Sequence, residues 1–438
     1  MSDLFLSTPG DALLLDDRIR GFPAGHPPLP LADIAARGWK PYDGEMSLPL
    51  ISLDRAAFAA NTDLMMRYVK AHNIEIAPHA KTPMSTDLAK SLVAAGAWGT
   101  TVADIRQASV MLKAGLKRLI LANEIGGPAA ARRLAALLAR HPEAEISIFV
   151  DSPELVAALA SAWKGRTDLP VLGLLVETGA ARAGARSKAA AEAILDAVLA
   201  VETETFGLAG IASYEGAAAT TDPAETATRI ANLMQLTADF YAAVRARVGV
   251  ERKLLVTAGG SVFFDMVVKA LKPILDGDAN AQLVLRSGAI FFHDHGVYER
   301  GLSGLDARHG LEIAGVVESA SKGFKPALRL WAEVLSRPEP GTAICGMGLR
   351  DVAMDQGLPR PLALYREGRS LRSIGAVTVT RLNDQHAFVD LAGDEAVRIG
   401  DVIEFGISHP CTCLDRYAVL YGLDAGDVVT AAFATSFG

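Results

Sequence analysis

The chain has 438 residues, half of them hydrophobic, and a formal net charge of −7. This length exceeds what one hydrophobic core supports and predicts two domains, while the acidic balance argues against nucleic acid or an anionic membrane as a partner. No segment offers the roughly 20 consecutive apolar residues of a membrane span, and Met1 begins no basic and apolar leader. The three cysteines are too few for a disulfide framework, so we expect a cytoplasmic protein.

Three units are predicted along the chain. Residues 1–45 contain several prolines between Pro23 and Pro41, which is typical of an extended arm that crosses a surface. Residues 46–305 alternate short apolar runs with alanine-rich helical patterns, whereas residues 306–438 carry β-branched runs separated by turns. The last unit is therefore predicted to be an antiparallel β domain. Its predicted strands are 313–317, 327–335, 377–382, 388–391, 401–407 and 427–433.

The rhythm of residues 46–305 predicts an α/β fold. Eight strands in a strand-then-helix order suggest a closed TIM-type (β/α)8 barrel of parallel strands, and an open doubly wound sheet is the alternative. The predicted strands are 74–80, 98–103, 118–122, 146–150, 171–176, 207–212, 253–256 and 282–285, and the predicted helices include 104–114, 129–139, 152–161, 188–201, 224–248 and 263–275.

The end of the first barrel strand carries a lysine. Lys81 follows the apolar run Ile74–Ala77, and a charge at the end of a buried strand is costly to desolvate. Desolvation lowers the pKa of an amine, and a neutral amine attacks aldehydes. Lys81 is therefore a candidate Schiff-base lysine. His79 lies two residues earlier on the same strand face, where it either bonds near the lysine or fills the barrel interior.

Active sites of such barrels lie at the carboxyl ends of the strands. Phosphate sites commonly use the loops after the seventh and eighth strands, where glycine lets backbone N–H groups approach an anion. Small residues in both loops here predict a phosphate site opposite Lys81. These loops contain Gly259, Gly260 and Ser261 after the seventh strand, and Arg286, Ser287 and Gly288 after the eighth.

Two further side chains follow the middle strands. Arg182, after the fifth strand, can donate to a phenolate or carboxylate, or lie on the surface. Tyr214, after the sixth strand, can offer its hydroxyl to a ligand or pack in the core. The other acidic residues at strand ends are Asp104, Glu124, Asp151, Glu177 and Glu215.

A second cluster lies in the predicted β domain. His409 and Cys411 are two residues apart, and imidazole and thiolate groups bind soft divalent ions. Two protein ligands leave positions open for substrate or water, so the pair is either an open metal site or ordinary core packing. Cys413 is a candidate third ligand. His293 and His295 form a weaker candidate pair after the eighth strand.

Together these motifs resemble the D-serine dehydratase and D-threonine aldolase group, which shares the alanine-racemase-like barrel of fold type III pyridoxal phosphate enzymes. The resemblance covers about residues 45–430 and is strongest to the branch labelled amino acid deaminase. Members commonly have Arg before Pro78 and His-Lys after Thr82, and the departures here bear on substrate range. The similar segments are 78–82 (lysine motif), 257–261 and 285–288 (phosphate loops), 293–296, and 384–386 and 409–411 (C-terminal signature).

The resemblance implies a homodimeric lyase that uses pyridoxal phosphate and acts on D-3-hydroxy amino acids. Lys81 would bind the cofactor and take the Cα proton, His79 and Tyr214 would lie beside it, and Arg182 would face the ring oxygen. The loops with Gly259, Gly260, Ser261, Arg286, Ser287 and Gly288 would surround the phosphate.

A divalent ion on His409 and Cys411 would activate the β-hydroxyl, with zinc in first place and manganese or magnesium as alternatives. Loss of that hydroxyl gives a 2-oxo acid and ammonia, as in a D-serine or D-threonine dehydratase. Alternatively, a base such as His386 takes the hydroxyl proton, and the Cα–Cβ bond breaks to give glycine and an aldehyde, as in a D-threonine aldolase. The deaminase-like motifs favour the dehydratase.

Three other classes stay open. An amino-acid racemase needs a second acid/base group, and Tyr365, Tyr417 and Tyr421 are available in the β domain. A cofactor-binding protein without turnover is disfavoured, because small relatives of that kind lack a β domain. A metal-dependent barrel hydrolase would contain no pyridoxal phosphate and would be colourless.

Overall fold

A computed structural model describes residues 13–393 and 396–437. The first twelve residues of the predicted arm, and the end of the β domain at Gly438, lie outside the described residues. The described part of the arm contains the antiparallel pair β1 (Leu14–Leu15) and β2 (Leu29–Pro30). Its apolar side chains, such as Phe22 and Trp39, pack with Trp331 and Tyr421 into a core of their own. The arm therefore covers one face of the β domain.

The strand β3 (Leu50–Asp54) follows the arm, and the barrel comes next. Eight parallel strands form one sheet in the order β4, β11, β10, β9, β8, β7, β6, β5. The two end strands also meet, because the N–H of Ala80 donates to the carbonyl of Thr101 at 2.8 Å. The predicted closed α/β barrel is thus confirmed. Its strands are β4 (Glu75–Ile76), β5 (Thr100–Val102), β6 (Arg118–Leu121), β7 (Glu145–Val150), β8 (Leu172–Thr178), β9 (Phe206–Ser213), β10 (Leu254–Ala258) and β11 (Ala281–Leu285).

Helices surround the barrel, and several of them begin at side-chain caps. The carboxylate of Asp104, one of the acidic residues at strand ends, accepts the N–H of Gln107 and so caps a helix. Ser152, Ser187 and Asp222 cap three others in the same way. The helices are α1 (Arg55–Ala71), α2 (Thr86–Ala94), α3 (Ile105–Lys113), α4 (Gly127–Leu138), α5 (Pro153–Trp163), α6 (Lys188–Ala200), α7 (Pro223–Val248), α8 (Phe264–Leu275) and α9 (Val297–Arg308).

The rest of the chain is mainly antiparallel sheet, as predicted. The run predicted as one strand at 313–317 is instead a hairpin of two short strands, because Ala314 and Gly315 adopt positive φ between them. The elements are β12 (Leu311–Ile313), β13 (Val316–Glu318), α10 (Ala320–Gly323), β14 (Leu328–Glu339), β15 (Thr342–Cys345), β16 (Arg360–Arg366), β17 (Arg369–Ser373), β18 (Thr378–Leu382), β19 (Ala387–Asp390), β20 (Val402–Gly406), α11 (Pro410–Leu414), β21 (Val419–Leu423) and β22 (Val429–Ala434).

The two units are joined by more than the chain connection. Although β3 falls within the range predicted for the barrel, it pairs antiparallel with β14 and parallel with β21. α11 follows β20 and carries the predicted metal ligand Cys411. Within residues 13–393 and 396–437, no helix combines the length and the apolar character needed to cross a bilayer.

Candidate active site

Polar side chains line the barrel interior at the carboxyl ends of the strands. One level below, the interior is apolar, with Ala77, Phe149 and Leu175 among its buried residues. Because every second residue of a strand points to the same face, the side chains two positions further along also point inward. We name this upper level the polar floor of the site. It consists of His79, Asp151, Glu177, Tyr214 and Arg286.

Lys81 lies above the polar floor, in the turn after β4. Its side chain is exposed, so the expected desolvation of this amine is wrong for the chain alone: the strand ends at the rim, where the ammonium reaches water. Burial lowers the pKa of His79 well below its usual range, and the charges of Lys81 and Arg286 lower it further. A Cβ on Gly288 would lie 2.4 Å from the carbonyl oxygen of His79. The lysine turn and the eighth-strand loop are therefore in direct contact.

The seventh-strand loop is held by a carboxylate that the sequence did not single out for any role. Glu215 is fully buried and accepts the N–H of Gly259 on Oε2 at 3.0 Å and the N–H of Gly260 on Oε1 at 2.6 Å. The two N–H groups predicted to meet a phosphate are thus already bonded. Ser261 and Ser287 also brace the loops, since Ser261 Oγ accepts the N–H of Ile290 and Ser287 Oγ donates to the carbonyl of Gly259.

Other N–H groups of the same two loops are available for an anion. Those of Ser261 and Val262, just before α8, make no hydrogen bond within the part of the chain that the structure describes, and the same holds for Gly288 and Ala289. Backbone N–H groups before a helix favour negative charge. The loops therefore fit a phosphate group, with donors one or two residues beyond the predicted Gly259 and Gly260.

Arg286 lies inside the barrel and not in a phosphate loop. Its Nη1 donates to Thr257 Oγ1 at 2.8 Å and its Nη2 to the carbonyl of Ser213 at 2.7 Å. The guanidinium also covers the ring of Phe149 at 5.1 Å. Burial lowers the pKa of Arg286, and the nearby carboxylate of Glu215 counteracts this. Arg286 could therefore contact a cofactor only from the polar floor, and not as part of a phosphate loop.

Arg182 and Tyr214 are brought together at the mouth. The Arg182 guanidinium lies 4.9 Å from the centre of the Tyr214 ring, and its Nη2 is 3.6 Å from Glu177 Oε1. Half of the Arg182 side chain is exposed, so this ion pair is a weak restraint and leaves the guanidinium able to turn toward a ligand. Burial, followed by the charge of Glu215, raises the pKa of Tyr214. Tyr214 is therefore a neutral hydrogen-bonding group at neutral pH.

A pair of carboxyl groups occupies the far side of the floor. Burial, then the hydrogen bond and charge of Glu177 and the charge of Asp151, raise the pKa of Glu124 to about 8. One oxygen of each member, Glu124 Oε1 and Glu177 Oε2, is buried without a hydrogen-bond partner in the described structure. The sequence placed these residues at strand ends, but only their three-dimensional proximity distinguishes them from ordinary strand-end acids.

The predicted metal pair lies beside the lysine turn. His409 Nδ1 is 2.7 Å from Asp355 Oδ2, and the other oxygen of Asp355 accepts the Thr412 hydroxyl at 2.8 Å. Cys411 Sγ lies 3.2 Å from Thr82 Oγ1. Burial acts to lower the pKa of His409, yet Cys411 and Asp355 raise it to about 9. Burial acts to raise the pKa of Cys411, but His409 and Thr82 lower it by hydrogen bonding. The thiolate, which is the metal-binding form, is therefore favoured.

This donor set fits a soft divalent ion. A histidine held by a carboxylate through one ring nitrogen, next to a cysteine thiolate, is a common arrangement around bound metals. Among residues 13–393 and 396–437, no group of three or more His, Cys, Asp or Glu side chains forms a metal site. An ion on His409 and Cys411 would thus keep coordination positions for substrate or water.

The remaining predicted ligands lie elsewhere. Cys413 is fully buried with its sulfur 3.9 Å from the carbonyl of Asp351, and burial raises its pKa to about 12. His293 is buried and His295 is partly buried, and this desolvation lowers their pKa values to about 4 and about 3. His386 is exposed in the turn between β18 and β19. Within this chain it contacts none of the described groups of the mouth.

One residue of the mouth was missed by sequence reasoning. Tyr298, in α9, has a pKa raised far above its usual range by burial and then by the charges of Cys411 and Tyr214. Its N–H is bonded to Asp294 Oδ1 at 2.9 Å. A single tyrosine in a helix gives no pattern that indicates such a position, and the tertiary contact with Cys411 alone reveals it.

Comparison with known families matches both units of the chain. The alanine racemase N-terminal domain model matches residues 53–252, and the putative serine dehydratase domain model matches residues 327–423. The chain therefore combines an alanine racemase N-terminal domain with a putative serine dehydratase domain. The resemblance drawn from the motifs is confirmed, and with it the class of pyridoxal-phosphate-dependent lyases.

Curated relatives align along most of the chain. A D-threonine aldolase of an Arthrobacter species is 26% identical over 365 residues, which is 82% of this chain and 85% of that protein. A 3-hydroxy-D-aspartate aldolase of Paracoccus denitrificans is 26% identical over 397 residues, which is 89% of this chain and 91% of that protein.

Solved structures agree on the fold. D-threonine aldolase from Filomicrobium marinum has a TM-score of 0.70 at 22% identity, covering 89% of this chain and 95% of that one. D-threo-3-hydroxyaspartate dehydratase from a Delftia species has a TM-score of 0.67 at 19% identity, covering 90% and 98%. At these identities the likeness supports the barrel and β-domain architecture.

Proposed function

We propose that the protein is a lyase that uses pyridoxal phosphate and a divalent metal ion to cleave D-3-hydroxy amino acids. One contact carries the proposal: Thr82, the residue after Lys81, places its hydroxyl 3.2 Å from Cys411 Sγ. This contact brings the aldehyde-binding amine and the predicted metal ligands into the same mouth. In a β-hydroxy amino acid the reacting Cα and the hydroxyl-bearing Cβ are neighbours, so Lys81 and a metal held by the predicted ligands could act on the two together.

Each group has a role that its surroundings support. Lys81 would bind the cofactor aldehyde. In loss of the hydroxyl, the released amine would take the proton from the substrate Cα; in aldol cleavage a base takes the hydroxyl proton, the Cα–Cβ bond breaks, and the protonated amine would return a proton to Cα to give glycine. The N–H groups of Ser261, Val262 and the eighth-strand loop bind the phosphate. Pyridoxal phosphate, when bound, supplies an electron sink for the charge that develops at Cα. His409 and Cys411 would hold a divalent ion, zinc in first place, and such an ion would supply Lewis-acid stabilisation of negative charge on the β-hydroxyl.

The favoured reaction is cleavage of the Cα–Cβ bond to glycine and an aldehyde. The curated relatives that align over more than four fifths of this chain are aldolases for D-threonine and 3-hydroxy-D-aspartate. Loss of the hydroxyl, to give a 2-oxo acid and ammonia, is the second candidate and the one that the deaminase-like motifs favour. His386, the base suggested for aldol cleavage, is exposed in the turn between β18 and β19 of this chain.

The racemase alternative loses its suggested acid/base groups within this chain. All three tyrosines of the β domain donate their hydroxyls to partners that belong to the domain itself or to the arm. The acceptors are Glu404 Oε2 for Tyr365 at 2.9 Å, the carbonyl of Asp351 for Tyr417 at 2.9 Å, and the carbonyl of Arg20 for Tyr421 at 3.0 Å.

Product analysis on a panel of D-3-hydroxy amino acids tests the proposal. Protein supplied with pyridoxal phosphate and zinc, manganese or magnesium is incubated with D-serine, D-threonine and 3-hydroxy-D-aspartate, and glycine and 2-oxo acids are both quantified. We expect glycine in excess and loss of turnover in Cys411→Ala and after chelation. Turnover of none of these substrates, or racemisation of D-alanine that survives chelation, would contradict the lyase. Light scattering on the same samples tests the expected homodimer.

A further inference from the structure

An unsatisfied carboxylate oxygen lies in the polar floor. Glu177 is 1% exposed, and its Oε2 has no hydrogen-bond partner in the described structure. Its other oxygen, Oε1, faces Arg182 Nη2 at 3.6 Å. A buried carboxylate oxygen without a donor is costly, and such groups in native proteins are normally explained by a missing partner. The side chain points into the barrel, because Leu175 of the same strand face belongs to the apolar layer below.

The position of Glu177 around the barrel indicates which donor it lacks. β8 is the fourth strand from β4 in either direction around the closed sheet, so Glu177 lies across the barrel from the lysine turn. In pyridoxal phosphate the aldehyde carbon and the ring nitrogen are on opposite corners of the ring. A cofactor bound to Lys81 therefore directs its nitrogen toward the strand that faces β4. The phosphate arm, next to the aldehyde on the ring, then lies toward β10 and β11, where the N–H groups are available.

We propose that Glu177 accepts a hydrogen bond from the protonated ring nitrogen of the bound cofactor. This inference rests on the proposed function, because it requires pyridoxal phosphate in the mouth. A carboxylate on that nitrogen keeps it protonated and so strengthens the withdrawal of electrons from Cα. Glu124 is within hydrogen-bonding distance of Glu177. A proton held on Glu124 therefore gives Glu177 one neutral donor and leaves the negative charge on Glu177, free to meet a cationic donor.

Two neighbours of the floor are less suited to this role. The Arg286 guanidinium has no acceptor atom, and its Nη1 and Nη2 already donate to Thr257 and Ser213. Tyr214 follows β9, which is one strand away from the position opposite Lys81, and Arg182 covers its ring. A tyrosine hydroxyl can also bond a ring nitrogen, and Tyr214 is therefore the alternative that the experiment must separate.

Binding of two cofactors tests the proposal without turnover. The cofactor-free protein is titrated with pyridoxal phosphate and with its carbocyclic analogue, in which a C–H group replaces the ring nitrogen, and dissociation constants are read from tryptophan fluorescence. The wild type should prefer pyridoxal phosphate by about tenfold to a hundredfold, the range for a hydrogen bond to a charged group. Glu177→Gln should lose most of this preference. Glu124→Gln and the exposed Glu154→Gln in α5 should retain it.

The outcomes separate this inference from the proposed function. If the wild type binds neither compound, the proposed function itself fails. If Glu177→Gln keeps the preference, or Tyr214→Phe alone abolishes it, then Glu177 is not the nitrogen's partner while the lyase proposal stands. Thermal unfolding of each variant confirms that the protein is folded, and the ratio of two dissociation constants on one variant is insensitive to a uniform loss of affinity.

Discussion

Replacing Glu215 with Gln should destabilise the barrel markedly. This buried carboxylate bonds the seventh-strand loop and also compensates the charge of the buried Arg286. Its two oxygens accept the N–H groups of Gly259 and Gly260 at 3.0 and 2.6 Å. An amide keeps one acceptor and turns an NH₂ group toward the second N–H, which leaves a buried donor unsatisfied at about 1–3 kcal/mol. The substitution also removes the carboxylate that most counteracts the burial of Arg286. Because Glu177 still faces that guanidinium, we expect a total loss of about 2–4 kcal/mol rather than the full cost of an unpaired buried charge.

Urea unfolding followed by circular dichroism measures this effect. The midpoint of Glu215→Gln should fall while the slope of the transition stays constant, since the surface exposed on unfolding is unchanged. Glu202→Gln is the matched control: Glu202 also accepts a backbone N–H, from Leu208, and faces an arginine, Arg252, but a quarter of its side chain is exposed. A midpoint shift in Glu215→Gln no larger than in the control would refute the reasoning.

Three further predictions concern the mouth. Lys81→Ala should lose the visible absorbance of bound pyridoxal phosphate together with turnover, and its melting temperature should not change because Lys81 is exposed. Asp355→Asn should weaken zinc binding, measured by competition with a chromophoric chelator, by about tenfold to a hundredfold, since Asp355 orients His409 at 2.7 Å. The protonation of Glu124 should make the cofactor-free protein less stable as pH rises from 4.5 to about 8. Burial, Glu177 and Asp151 raise the folded-state pKa of Glu124 from 4.5 to about 8. Between these pH values the folded form keeps a proton that the unfolded form has lost, so the free energy of unfolding falls as pH rises. Urea midpoints across this range should fall in the wild type and flatten in Glu124→Gln.

Each of these predictions has a result that would count against it. A coloured, active Lys81→Ala protein would remove the basis of the lyase proposal. Equal zinc affinity in Asp355→Asn and wild type would mean that His409 needs no support. The slope from Glu124 is at most about 1.4 kcal/mol per pH unit and is reduced by solvent, since the residue is partly exposed; a rise in stability over the same range would show that the carboxyl pair is ionised in the folded protein.

The barrel was predictable because its strands have a strong local signature. β8 is buried on both faces along its whole length, so it reads as a continuous apolar run of a kind that parallel sheets produce. β17 shows the opposite case, because all of its residues are exposed and it is held by pairing with β16. Such a strand has no hydrophobic period to detect. No strand was predicted at β3, which falls within the range assigned to the barrel. Its pairing with β14, across more than 270 residues of sequence, leaves no local trace.

The sequence singles out candidate reactive groups of the site but not the residues that support them. The lysine turn and the His409–Cys411 pair are short motifs whose chemistry follows from residue type. The prediction that the Lys81 amine is buried was wrong, because a strand end at the rim of a barrel is open to water in the chain alone. The bonding of Gly259 and Gly260 to Glu215 could not be foreseen, because the carboxylate comes from a different strand.

The polar floor and the loops above it give the two sides of the mouth opposite electrostatic preferences. Unbonded N–H groups lie on the side of β10 and β11, whereas the carboxyl groups of Glu124 and Glu177 lie on the side of β6 and β8. A ligand with an anionic group at one end and a cationic ring nitrogen at the other is stabilised in one orientation and opposed in the reverse. Under the proposed function, the orientation that satisfies both ends would also bring the reacting carbon atoms of the substrate to Lys81 and to the proposed metal ligands His409 and Cys411. The charges on the two sides of the mouth would therefore determine the orientation of the bound ligand, and the motif residues would act on the atoms that this orientation places beside them.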